Sequence, residues 1–284
     1  LSKYELRTLE NINLELNQYL RGDFIDDVEI SGIAYDLEQC VNIRYLQINL
    51  MGFCISPLGM SVFFSAFKSC THLRVLYLRL ISQEFNQICA TLLGQQLLKC
   101  KNLQELVLYL DLSDTKNQGA ANLTSSISQH KNINTLCLGF YKAGIKDISS
   151  DTFQFSENLL SLGLSLRSNR FLPQDIYHVS NSLQQSKNLQ YIYLNLRNNS
   201  IGEQGALSIF NALSGYQNLK SLQIILHYSR LSLCQFSVLL KKFLKLTNLS
   251  IDIYLNQEIN DLTKQHLRRK AKKMLRIVQL QIID

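Results

Sequence analysis

The residues of this chain with the chemistry to hold a metal or attack a substrate are seven cysteines, five histidines and one acidic cluster. Cys40, Cys70 and Cys100 recur at intervals of 30 residues, which invites a metal site. Zinc clusters, however, take ligands in pairs a few residues apart, and no Cys-x-x-Cys occurs. An odd total of seven cannot be fully paired within the chain, so reduced thiols inside the cell are expected. The histidines His72, His130, His178, His227 and His266 are scattered, and nothing selects one as the partner of a nucleophile. Asp23, Asp26, Asp27 and Glu29 lack the alternating ligands and turn glycine of a calcium loop, and a solvated acidic loop is expected. Phosphate-loop, dinucleotide, zinc-protease and nucleophile-elbow signatures are all absent. The expectation is a chain without catalytic residue, metal or cofactor.

The cysteine interval belongs to the whole chain. Leu73-x-x-Leu76-x-Leu78-x-Leu80 repeats as Leu103-x-x-Leu106-x-Leu108-x-Leu110, 30 residues on. Copies led by Ile43 and Ile133 flank these two, and others start at Leu159, Leu189, Leu219 and Leu249, with one interval of 26 and the rest 30. Weaker copies stand at Leu9-Ile12-Leu14-Leu16 and Ile277-Leu280-Ile282. Alternation of apolar residues predicts strands with one face buried. Between them the period lengthens: Ile176, Val179, Ser180 and Leu183, like Phe236, Leu239, Leu240 and Phe243, mark amphipathic helices. The unit is strand, loop, helix, loop. A connection of that length suits parallel neighbours, and stacking such units builds one continuous core. Cys40, Cys70 and Cys100 each precede a leading Ile or Leu by three residues, in a slot that elsewhere holds His130, Ser156, Ser186 or Tyr216, so buried structural thiols are expected.

The segment Leu194-Asn-Leu-Arg-Asn-Asn199-Ser-Ile201-Gly202-Glu-Gln-Gly205-Ala206 resembles the ribonuclease-inhibitor-like leucine-rich repeats. The added Asn-Leu-x-x that leads each repeat is similar to the long variant, of about 30 residues, seen in ciliate repeat proteins. The resemblance implies an α/β leucine-rich-repeat solenoid, a horseshoe with parallel strands on the concave face and helices on the convex face. It also implies asparagines that tie the loop after each strand. Asn169 and Asn199 fit, whereas Gln83, Ser113, Ala143 and Ser229 stand in the equivalent places and predict looser loops. Some relatives of this repeat class regulate small GTPases, which the resemblance allows here on analogy alone.

With 46% hydrophobic residues, two prolines and no linker-like stretch, the chain reads as one domain over residues 1–284, of about nine to ten repeats. Residues 261–284 read as a capping helix and strand. No apolar run reaches the ~18 residues of a membrane span, and no secretory signal opens the chain, so an intracellular, cytoplasmic protein without membrane contact is expected. It opens on Leu1 rather than Met, which suggests a piece of a longer protein.

Function is expected on the concave face. Tyr77, Arg79, Tyr109, Tyr141, Arg167, Tyr193, Arg197 and Tyr254 point outward between the buried leucines. Tyrosine and arginine dominate binding hot spots, so the expected role is a non-catalytic scaffold or adaptor for another protein, as part of a larger assembly. Gly139 and Gly163 predict a shallow depression among the tyrosines. The alternative site is the basic helix with Lys264, Arg268, Arg269, Lys270, Lys272, Lys273 and Arg276, which suits nucleic acid or an acidic partner. No aromatic residue accompanies that run to stack on bases, and a solubilising cap fits it better.

Overall fold

A computed structural model describes residues 2–17, 25–51, 55–82, 84–227, 229, 245–253, 256, 262, 265, 269 and 279–283. Two compact units emerge, Leu1–Ile145 with Thr152–Asn158, and Lys146–Asp151 with Leu159–Asp284. Each is a stack of the predicted repeats, and the fold is an α/β leucine-rich-repeat solenoid.

In the first unit the strands β1 (Asn11–Asn17), β2 (Tyr45–Met51), β3 (Val75–Ile81), β4 (Glu105–Tyr109) and β5 (Thr135–Gly139) run parallel in chain order. The register sets leucine on leucine, Leu46 beside Leu76, Leu76 beside Leu106 and Leu106 beside Leu136, each at most 1% exposed. Each such side chain contributes about 1.5–3 kcal/mol. Slipping one residue would turn all of them outward, so the pattern fixes the register. The end strand is the exception, with Ile12, Leu14 and Leu16 only half-buried.

A short α1 (Lys3–Thr8) precedes β1, and α2 (Asp27–Gln39), α3 (Pro57–Ser65), α4 (Gln87–Leu97) and α5 (Lys116–Ser128) follow successive strands. Asp26 caps α2 through the amides of Val28 and Glu29, and the Glu29 carboxylate accepts from the Asp26 amide. Asp27 reaches into the next repeat and accepts from Ser56 N (2.8 Å) and Ser56 Oγ (2.5 Å). The predicted acidic loop is therefore, at Asp26, Asp27 and Glu29, a set of helix caps, which satisfies amides that a helix start leaves unpaired. Asp23 lies outside the described residues.

Two rows of polar side chains bind one repeat to the next in this unit. The leading asparagines form the first row. Asn42, Asn102, Asn132 and Asn158 donate to the carbonyls of Arg7, Thr71, Lys101 and Lys131 in the preceding repeat, and His72 Nδ1 meets Val41 O in the same way. The cysteine slot forms the second row. Cys100 Sγ donates to Phe67 O at 3.4 Å, and His130 makes the equivalent bond to the Leu97 backbone.

In the second unit β6 (Ser161–Ser165), β7 (Tyr191–Asn195), β8 (Ser221–Ile225), β9 (Asn248–Asp252) and β10 (Gln279–Ile283) are again parallel in order. The helices α6 (Pro173–Leu183) and α7 (Gly202–Leu213) pack beside them. Tyr216 fills the cysteine slot and its hydroxyl donates to Leu183 O. The asparagine ladder expected after each strand is present here. Asn199 donates to Leu166 O (3.0 Å) and Leu196 O (2.9 Å) and accepts from the amides of Asn169 and Phe171, both 3.1 Å.

Three expectations are corrected. The interval of 26 residues between Ile133 and Leu159 holds no helix, because four missing residues remove about one helical turn. Phe153 fills the core beside Phe140 in its place, and stacks on Phe155. Second, the repeat after β8 is led by Leu246, since Leu249 pairs with Leu222. Asn256 thereby takes the ladder position, donating to Leu226 O and Ile253 O and accepting from Ser229 N. Third, the loop at Ser113 is not loose. Its hydroxyl donates to Leu110 O at 2.7 Å and meets Thr115 Oγ1, reproducing half of the asparagine's work. Gln83 and the helix predicted around Phe236–Phe243 lie outside the described residues.

Candidate functional site

Side chains between the buried leucines of β1–β4 form two rows across the strands. One runs Glu15, Asn49, Arg79, Tyr109 and the other Gln47, Tyr77, Val107. Together they line a groove of about 250 Å³, to which Ile48 and Leu78 also contribute. Three predicted residues, Tyr77, Arg79 and Tyr109, are thus brought to one place.

The groove is held by its own hydrogen bonds. Glu15 accepts from Gln47 Nε2 at 2.6 Å and from Asn49 Nδ2 at 2.9 Å. Gln47 Oε1 in turn accepts from Tyr45 OH at 2.6 Å, and the Tyr45 and Tyr77 rings lie 5.9 Å apart. Tyr77 OH donates to Glu105, and that bond to a carboxylate is the main reason its phenol is pushed up to about 12. Tyr109 OH accepts from Cys137 Sγ, and burial raises the Cys137 thiol while this hydrogen bond opposes the rise. Arg79 differs: it is exposed and has no ion pair or hydrogen bond among the described residues.

One outward position is closed and one sequence expectation fails at this face. Val107, in the outward row, is only 6% exposed between Tyr77 and Cys137 in the register, and serves as apolar floor. The depression expected at Gly139 is filled, because a Cβ there would lie 2.6 Å from Tyr109 Cδ1. Glycine lets the ring lie flat on the backbone. Glu15 was missed because β1 carries the weaker repeat, although Leu14-Glu15-Leu16 shows the alternation that would have placed it.

Tyr141 follows β5, half-buried, with Lys142 Nζ 5.4 Å from its ring centre. In the second unit Tyr193, Arg167 and Arg197 are half-buried. Asn195 orders this stretch, donating to Tyr193 OH and accepting from Arg197 N. His227 Nε2 meets Asp252 Oδ1 on the same unit. Tyr254 and the basic residues Lys264, Arg268, Lys270, Lys272, Lys273 and Arg276 lie outside the described residues, while Arg269 is helical and exposed.

Cys40, Cys70, Cys89 and Cys100 are buried free thiols, and burial pushes Cys70 and Cys100 up to about 12. No group of three or more His, Cys, Asp or Glu is placed to hold a metal among the described residues. No helix among them is long and apolar enough to cross a membrane.

No family model matches the sequence, and no curated protein matches it. Among solved structures the chain is similar to the leiomodin-1 actin-binding site 2, at 13% identity over 66% of this chain and 87% of that one, with a TM-score of 0.37. It is also similar to the complex of Rad7 and Elc1 in yeast, at 11% identity over 98% of this chain and 86% of that one, with a TM-score of 0.36. Both likenesses are loose, and the fold is assigned on the register and ladders above.

Proposed function

We propose that this chain is a non-catalytic scaffold that binds a protein partner on the outward face of its strands, with the groove over β1–β4 as the principal contact. One observation carries the reading: an aromatic groove of about 250 Å³ whose polar groups are already ordered by one another. A surface fixed before binding loses little further entropy on contact, and preorganisation of that kind raises affinity without added area. Tyr77 and Tyr109 supply wide contact over few rotatable bonds, and Arg79 supplies direction. Tyr141, Arg167, Tyr193 and Arg197 extend the proposed contact set. The free thiols of the cysteine row fit a reducing compartment, and an intracellular location is part of this proposal. The helix start at Gly202-Glu-Gln-Gly205-Ala206 supports the ribonuclease-inhibitor-like class of repeat.

Photo-crosslinking tests this. A benzoylphenylalanine at position 109, beside a control at the exposed Gln95 of α4, is irradiated in lysate of the source cell. A protein adduct from position 109 that is lost with Tyr77→Ala is the expected result. Adducts from position 95 alone would move the contact to the helices and overturn the proposal.

A further inference from the structure

The charges of the groove are unequal in their commitments. Glu15 is tied to two amides, Glu105 to the Tyr77 hydroxyl, and Asp111 accepts from the Tyr141 amide at 2.8 Å. Arg79, the one cation lining the groove, has no partner among the described residues. Its planar donors match a carboxylate in two-point contact. The partners of Glu15 and Glu105 are neutral amide and hydroxyl groups that bring no positive charge, so the field over the groove opposes a run of anions. Glu15 stands two strands from Arg79 on the same row, about 10 Å at the usual spacing of strands, and repels a second carboxylate arriving from the β1 side. Beside Arg79, on the neighbouring row, Tyr77 and the buried Val107 form an apolar floor.

Building on the scaffold reading, we propose that the groove takes a short protein segment presenting a single carboxylate to Arg79, with an apolar side chain next to it on Tyr77 and Val107. A polyanion such as nucleic acid is the wrong ligand for this face. The recognition is of one Asp or Glu in an apolar setting.

The test selects displayed random twelve-residue peptides on the whole chain. Peptides that also bind a Tyr77→Ala, Tyr109→Ala double variant, checked for native circular dichroism, are removed so that only binders of this face remain. The wild-type chain should select peptides sharing one Asp or Glu beside an apolar residue, and an Arg79→Glu bait should select Lys or Arg at that place. A synthetic wild-type binder should weaken roughly tenfold or more, the usual scale of a charge-assisted contact, with Arg79→Ala. Changing its own acid to the amide should weaken it equally, and combining both changes should add little. Face-dependent peptides without a shared acid, or with unchanged affinity for Arg79→Ala, overturn this inference and leave the scaffold reading standing. Recovery of no face-dependent peptide overturns both.

Discussion

Asn199 offers the strongest test of how the stack is held. Its side chain is 2% exposed and joins two repeats through four bonds of 2.9–3.1 Å. Truncation to alanine takes this partner from three groups, the amides of Asn169 and Phe171 and the carbonyl of Leu196. The Leu166 carbonyl keeps the Asn169 side-chain amide at 3.1 Å. At about 1–1.5 kcal/mol for each deprived group, Asn199→Ala should destabilise the chain by about 3–4 kcal/mol. Urea unfolding followed by circular dichroism measures the total, and hydrogen exchange resolves where it falls. Exchange should accelerate at Asn169 and Phe171 before it does at Leu222 on β8. A loss under about 1 kcal/mol with both amides still protected would refute the idea that asparagine closes these loops, and leave apolar stacking as sufficient.

Gly119→Ala should cost about 2–3 kcal/mol, because its Cβ would stand 2.8 Å from the Gln87 Cα and the backbone of α4 cannot yield as a side-chain end can; thermal melting checks it. Gly205→Ala should cost less, since its nearest neighbour is Ile201 Cβ at 3.1 Å. Burial holds the His130 imidazole below its ordinary value, and its Nε2 is buried without a partner. Protonation below pH ~6.5 therefore favours the unfolded chain, so stability should fall as pH drops from there. His130→Cys, which restores the residue of the preceding repeats, should flatten that slope in urea titrations between pH 7 and 5. Cys70 and Cys100 have the opposite sign, with thiols pushed up to about 12. Their contribution is intact below the unfolded value of ~8.5 and lost as pH rises toward 12. In native protein at pH 8 they should resist maleimide, and mass mapping should show the half-exposed Cys137 labelled before them; early labelling of Cys70 would contradict the packing.

What the sequence made legible follows from what period and residue type encode. Alternating leucines specify a buried strand face whatever their neighbours are, so the inward positions and the register could be read directly. The cysteine slot was legible for the same reason, a fixed offset from a leading leucine. Leu246 and Leu249 are both leucines, so spacing alone could not say which one leads, and the choice hid Asn256. Lys116 hid a helix start: it holds φ 53° where Gly202 holds φ 61°, and Gly119-Ala120 follows it as Gly205-Ala206 follows Gly202. A lysine in the left-handed region goes against local preference, and the backbone bond from Lys116 N to Ala143 O at 3.0 Å helps to hold it there. The absent helix before Leu159 was equally hidden, because an interval of 26 records missing length without saying which element gives it up.

The groove was legible as residue types and not as a site, for a physical reason. Periodicity reports which face a side chain takes, whereas availability depends on neighbours across strands some 30 residues away. Val107 and Arg79 occupy outward positions on adjacent strands, yet one is buried floor and the other an exposed cation with no partner among the described residues. The difference lies in Tyr77, Glu105, Glu15 and Asn49, which satisfy one another and leave Arg79 aside. An exposed guanidinium stays hydrated, so leaving it unpaired costs the fold little. The stack is held by leucines and ladders beneath the face, and exposed substitutions above them generally change stability by less than about 0.5 kcal/mol. Arg79 can therefore be altered to test the proposed recognition while the fold that presents it stays the same.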